Sequence, residues 1–144
     1  MLIKIIAVGK IKDRGLQSKI TEFSKWISRY GKLEIVELRD SNVEKEGEAI
    51  LKSLGKDKAF VFALSEEGKE FTSNKFAQKL ASIDKKTVFI IGGPFGLSPE
   101  VKQRADCLFS LSQMTFTHEM ARLFLLEQIY RAIDIARGGK YHNV

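Results

Sequence analysis

Two rhythms of apolar residues run through the chain. Uninterrupted runs at residues 2–8 (LIKIIAV), 58–64 (KAFVFAL) and 88–91 (VFII) have the β-branched and aromatic content of strands covered on both faces. Residues 33–38 (LEIVEL) alternate acids with aliphatics, as a half-buried strand does, and residues 107–111 supply a fifth short run. Between them, Leu16, Ile20, Phe23, Ile27 and Tyr30 recur at steps of four, three, four and three, which predicts a helix laying one face on a sheet, with Trp26 bordering the stripe. Similar spacing predicts a helix from Thr72 or Ser73 to Ile83, with Phe76, Leu80 and Ile83 inward. Shorter helices are expected over 48–54 and 99–105, separated from the strands by polar stretches at 39–47 and 65–69 that read as loops.

The longest predicted helix covers residues 117–137, about 31 Å at 1.5 Å per residue. Met120, Leu123, Phe124, Leu125, Leu126, Ile129, Tyr130, Ile133 and Ile135 leave it little continuous polar face. That is more apolar surface than one sheet covers, so part of it is expected to pack against a second subunit. Gly138-Gly139 stops it, and a short polar tail, 140–144, follows.

Strands alternating with helices predict a single α/β domain over 1–144, a mostly parallel five-stranded sheet flanked by helices. In such sheets ligands bind beyond the carboxyl ends of the strands. The stretch 87–98, TVFIIGGPFGLS, is built for that position. Gly92, Gly93 and Gly96 free the backbone, Pro94 stiffens it, and Ser98-Pro99-Glu100 has the composition of a helix start. Its echo at 108–117, LFSLSQMTFT, again runs from an apolar strand into small and polar residues ahead of a helix. Neither is GxGxxG or GxxxxGK[ST], which argues against a dinucleotide or a nucleoside triphosphate.

The formal net charge is +6, of which +5 falls in residues 1–87 (18 basic, 13 acidic) and +1 in residues 88–144 (6 basic, 5 acidic). The basic balance suits a polyanionic partner such as nucleic acid, although dispersed lysines interleaved with acids equally describe a solvated surface. Lys10, Lys12 and Arg14 lie just past the first strand, on the rim expected to carry the glycine loop, and are candidates for phosphate contacts. No apolar run reaches about 18 residues and the start lacks the features of a signal peptide, so a cytoplasmic protein with no membrane span is expected. The single Cys107 and two histidines offer neither a disulfide nor a metal site.

IIGGPFGLS at 90–98, LSQMTFTHEMARLFLLEQIYRA at 111–132 and Tyr141-His142, in that order, resemble the small single-domain SPOUT methyltransferases that modify N3 of a pseudouridine in 23S ribosomal RNA. The likeness runs from Ala7-Val8-Gly9-Lys10 to the Tyr-His ending. It implies S-adenosylmethionine as cofactor, a homodimer, 23S rRNA in the ribosome as partner, and a C-terminal trefoil knot, which enters through the resemblance alone because knots are rare. It also implies that Leu64 meets the methyl donor through its backbone, that Gly92 and Gly93 with Leu111, Ser112, Gln113, Met114, Thr115 and Phe116 surround it, and that Tyr141 and His142 grip the target base, His142 being a possible proton acceptor.

The residue types suit that chemistry. Adenine needs an apolar slot edged by backbone groups, which Met114, Phe116 and the two glycines can form, although ordinary core packing would use the same residues. Methyl transfer to an imide nitrogen needs an in-line acceptor and either a base or a cation for the resulting anion. Arg131 is the candidate cation, while His118 and Arg122 are placed toward RNA. Glu119 and Glu127 offer each arginine a structural salt bridge instead. A knotted methyltransferase acting on transfer RNA and a non-enzymatic ribosome- or RNA-binding module remain the alternative readings.

Overall fold

The computed structural model describes residues 1–143; Val144, the last residue of the expected tail, lies outside the described residues. Strands β1 (Leu2–Val8), β2 (Lys32–Leu38), β3 (Ala59–Glu70), β4 (Lys86–Ile91) and β5 (Cys107–Ser110) alternate with helices α1 (Arg14–Ser28), α2 (Val43–Leu54), α3 (Ser73–Ser82), α4 (Pro99–Arg104) and α5 (His118–Ala136). The five strands form one wholly parallel sheet in the order β2-β1-β4-β3-β5. This is the predicted α/β architecture. Among the described residues no helix is long and apolar enough to cross a membrane.

Side chains leave a strand alternately to its two faces, so each buried strand feeds two cores. Ile3, Ile5, Phe62, Phe89, Ile91 and Phe109 point to the side covered by α1, α3 and α5. Ile6, Val8, Val61, Ala63, Val88 and Ile90 point to the side covered by α2 and α4. Phe62 and Phe89, fully buried on adjacent strands, stack with ring centroids 4.8 Å apart and planes 6° off parallel. Trp26 is a flank, as expected, 5.2 Å from both the Phe23 and Tyr130 rings.

Every helix begins on a side chain that accepts a hydrogen bond from an otherwise unpaired backbone N–H: Asp13, Asn42, Thr72, Ser98 and Thr117. These caps fix how the loops at the strand ends enter the helices. Two boundaries differ from expectation. Helix α2 starts at Val43, five residues before the predicted position 48, because Asn42 caps it and Glu44 and Glu46 sit favourably at its positive end. Strand β3 does not stop at Leu64. Phe109 of β5 pairs with both Leu64 and Lys69, so residues 65–68 bulge out of the ladder before it resumes to Glu70. Gly68 makes this possible, since a Cβ there would lie 2.6 Å from the Leu108 carbonyl carbon.

Phe62→Ala should cost about 3–5 kcal/mol of unfolding free energy, the range for emptying a fully buried aromatic site. Urea denaturation checks this, and a loss under about 1 kcal/mol would mean that the stack is not central to the core.

Candidate functional site

The parallel order brings the carboxyl ends of β3, β4 and β5 to one edge, and a cavity of about 830 Å³ opens there. Leu64, Gly92, Gly93, Leu111, Ser112, Met114, Thr115 and Phe116 all line it, together with Thr117, His118, Glu119 and Ala121 at the start of α5. The two strand-end bends, separated by about twenty residues in sequence and by β3 in the sheet, therefore share one wall. Gln113 is an exception: it is exposed and donates to Glu70 Oε1 at 3.1 Å, because the residue between Ser112 and Met114 turns outward.

The glycine loop is itself tightly packed. A Cβ on Gly92 would lie 2.8 Å from Leu97 Cδ2 and 3.0 Å from the Gly96 carbonyl oxygen. Gly96 turns back with φ +84°, a conformation that favours glycine. Across the mouth, Met114 is 75% exposed and Phe95 85% exposed, so the cavity is open and rimmed by apolar side chains. Its volume and its mix of apolar walls with exposed backbone fit a nucleoside-sized ligand.

Lys10, Lys12 and Arg14 are exposed beside this cavity. Glu119 holds their loop: its Oε1 accepts the backbone N–H of Lys12 at 2.7 Å and of Asp13 at 3.1 Å. Those two bonds keep the Glu119 carboxyl below the usual carboxylate range. His118 Nε2 lies 3.5 Å from the Lys10 carbonyl and would meet any Cβ on Gly9, which has φ +92°.

Arg122, expected among the RNA contacts, is corrected by the structure. It is 2% exposed, pairs with Glu37 and donates to the Gly9 carbonyl at 2.8 Å, so its charge is used inside the fold. Neither Glu119 nor Glu127 is its partner. Arg131 does pair with Glu127, at 2.5 Å, and that hydrogen bond raises its pKa.

Arg131, Tyr141 and His142 form a cluster of their own. The Tyr141 hydroxyl donates to Glu127 Oε2 at 2.7 Å, and the Arg131 guanidinium lies over its ring, 4.9 Å from the centroid. Arg131 Nη1 lies 3.0 Å from His142 Nδ1. Arginine can only donate, so Nδ1 accepts and the neutral ring carries its proton on Nε2. None of the three lines the large cavity. Position 131 is ten residues along α5 from Ala121, the last residue of that helix on the cavity wall, about 15 Å at 1.5 Å per residue.

The family described as "Predicted SPOUT methyltransferase" matches residues 1–142. A protein of Prochlorococcus marinus named ribosomal RNA large subunit methyltransferase H is 46% identical over 141 residues, covering 97% of this chain and 94% of its own. A probable methylase family protein from Haemophilus influenzae Rd KW20 has the same fold, with TM-score 0.63, 12% identity, and coverage of 99% of this chain and 70% of the other. The SpoU methyltransferase AviRb from Streptomyces viridochromogenes, solved in complex with AdoMet, gives TM-score 0.51 at 15% identity, covering 96% of this chain and 59% of that one.

Burial, with the hydrogen bond to Glu127 second, pushes the Tyr141 phenol up to about 12. Its contribution to stability is therefore present below the ordinary tyrosine pKa near 10 and is lost as pH rises toward about 12. In an ultraviolet titration one of the three tyrosines should ionise late, and Tyr141→Phe should remove that late phase. A late phase that survives the substitution would assign the shifted phenol elsewhere.

Proposed function

The chain belongs to the SPOUT methyltransferase family, and from that premise we propose that it transfers a methyl group from S-adenosylmethionine to N3 of a pseudouridine in 23S ribosomal RNA on the assembled ribosome. The observation that carries this reading is the convergence of Leu64, Gly92, Gly93 and the 111–116 loop on one open cavity beside the basic loop at Lys10–Arg14. The name of the Prochlorococcus marinus relative, an rRNA large subunit methyltransferase, supports the substrate class.

When bound, S-adenosylmethionine supplies a methyl group already activated by its sulfonium, so the chain's task is to hold the acceptor nitrogen close and in line. Leu111, Met114 and Phe116 offer the adenine walls, and backbone groups at 92–93 and 111–115 its polar edge. On the acceptor side, the Arg131 guanidinium can stabilise the anion left when the imide loses its proton. With Nδ1 taken by Arg131, His142 offers Nε2–H as a donor to the base and would become a proton acceptor only on leaving that contact. Lys10, Lys12 and Arg14 would take RNA phosphates, with His118 behind them.

The distance along α5 makes the homodimer part of the proposal, since the tail of one protomer would serve the cavity of its partner. Exposed Met114, Phe116 and Phe124 support an apolar contact of this kind. The family's trefoil knot belongs to the same reading; the chain crosses from β4 past β3 to the edge strand β5 before it enters α5. So do a single domain over 1–144 and a cytoplasmic location.

Intact ribosomes should accept labelled methyl from the protein, and transfer RNA should not; label on transfer RNA alone would overturn the substrate. Gly92→Val should abolish cofactor binding by calorimetry, because the loop cannot admit the side chain against Leu97 and Gly96. His142→Ala should leave cofactor affinity unchanged and slow transfer by about a hundredfold, the usual scale for a lost acid-base or donor group. An equal mixture of the two variants should regain activity if the site is shared between protomers, and mixing without recovery would place the tail in its own chain's site.

A further inference from the structure

The charged residues around the cavity are unevenly engaged. Glu119 is committed to the Lys12 and Asp13 amides, and His118 faces the Lys10 carbonyl. Two groups are left. Glu66, on the β3 bulge, is exposed on the cavity wall and is paired with no cation among the described residues. Lys102, on α4 just beyond the glycine loop, is the one lysine or arginine among the lining residues. Its Nζ is held by Glu67 Oε1 at 2.6 Å, and the Glu67 side chain is 60% exposed. That partner loses little on release, because an ion pair open to solvent is weak and screened.

We infer that Lys102 and Glu66 form a subsite for the zwitterionic amino-acid end of the cofactor, Lys102 receiving its carboxylate and Glu66 its ammonium, while Glu67 occupies Lys102 when no ligand is bound. This assignment rests on the reading of the cavity as the S-adenosylmethionine site. An α-amino acid presents one anion and one cation a few ångströms apart, and this wall offers an unpaired carboxylate, Glu66, and an ammonium, Lys102, held only by an exposed partner. Of these two neighbours on the bulge, only Glu66 is on the cavity wall, while Glu67 is engaged with Lys102. Glu67 competes with a ligand carboxylate for the same ammonium, so its removal should strengthen binding.

The test measures affinity by calorimetry for two probes: S-adenosylhomocysteine, which carries the amino-acid end, and 5′-methylthioadenosine, which lacks it. Lys102→Met and Glu66→Gln should each weaken S-adenosylhomocysteine about tenfold, the scale of one charge-assisted hydrogen bond. Both should leave methylthioadenosine within about twofold of the parent protein. Glu67→Gln should tighten S-adenosylhomocysteine by about two- to threefold, with methylthioadenosine again unmoved. A merely structural Lys102–Glu67 pair predicts that both of its substitutions weaken both probes, and that pattern would overturn the subsite. Unchanged S-adenosylhomocysteine affinity in Lys102→Met would do the same. Failure of the parent protein to bind either probe would instead remove the reading of the cavity itself.

Discussion

The buried guanidinium of Arg122 is the tie on which the placement of the long helix depends. It reaches from the second turn of α5 to the end of β1, through the Gly9 carbonyl, and to the end of β2, through Glu37. A charge that is 2% exposed is tolerable only with such partners, because removing either would leave an uncompensated ion in a low-dielectric interior. Among the described residues its Nε remains without a hydrogen-bond partner, so the site is already at the limit of what the fold satisfies. The same turn of α5 carries Ala121 and Glu119 on the cavity wall. Locking Arg122 to the sheet therefore sets the position of the helix start against the glycine loop, and the cavity's dimensions follow.

Glycine placement obeys the same geometry. Gly9 must be glycine because its φ of +92° and the His118 ring leave no room for a side chain, yet its carbonyl has to face Arg122. Gly68 lets the resumed half of β3 close on the Leu108 backbone after the bulge. Both sit next to cavity residues rather than in them. Close backbone approach, more than direct ligand contact, is what these two positions require.

Much of this was legible in the sequence because it rests on local periodicity. The five strands, the glycine loop and the long helix follow from runs and spacings that any window of the chain displays. What the sequence hid was non-local. The partner of Arg122 lies 85 residues away, whereas sequence spacing offered only Glu119 and Glu127. The bulge at 65–68 reads as a loop because its residues are polar, and only pairing with β5 makes the following residues a strand. The start of α2 was obscured by a polar stretch in which the Asn42 cap has no hydrophobic rhythm to announce it. The resemblance to known methyltransferases named most of the cavity wall, but it gave no signal that Gln113 turns outward or that Lys102 and Glu66 face in.

The tail shows how a short polar segment can be held without a core of its own. Gly138 takes φ +71°, and Gly139 donates to the Asp134 carbonyl, reversing the chain onto α5. Buried Asp134 then accepts the Tyr141 amide at 2.8 Å, and the Tyr141 ring meets the Tyr130 ring edge-on at 4.9 Å. These contacts fix the backbone before the hydroxyl reaches Glu127 and before His142 reaches Arg131. A tail ordered in this way surrenders its conformational entropy on folding rather than on meeting RNA. The same contacts bind it to its own helix, so a cluster about 15 Å along α5 from the cavity wall cannot swing back to it without breaking them. Pre-organisation and distance are thus the two features on which the proposal of a site shared between protomers rests.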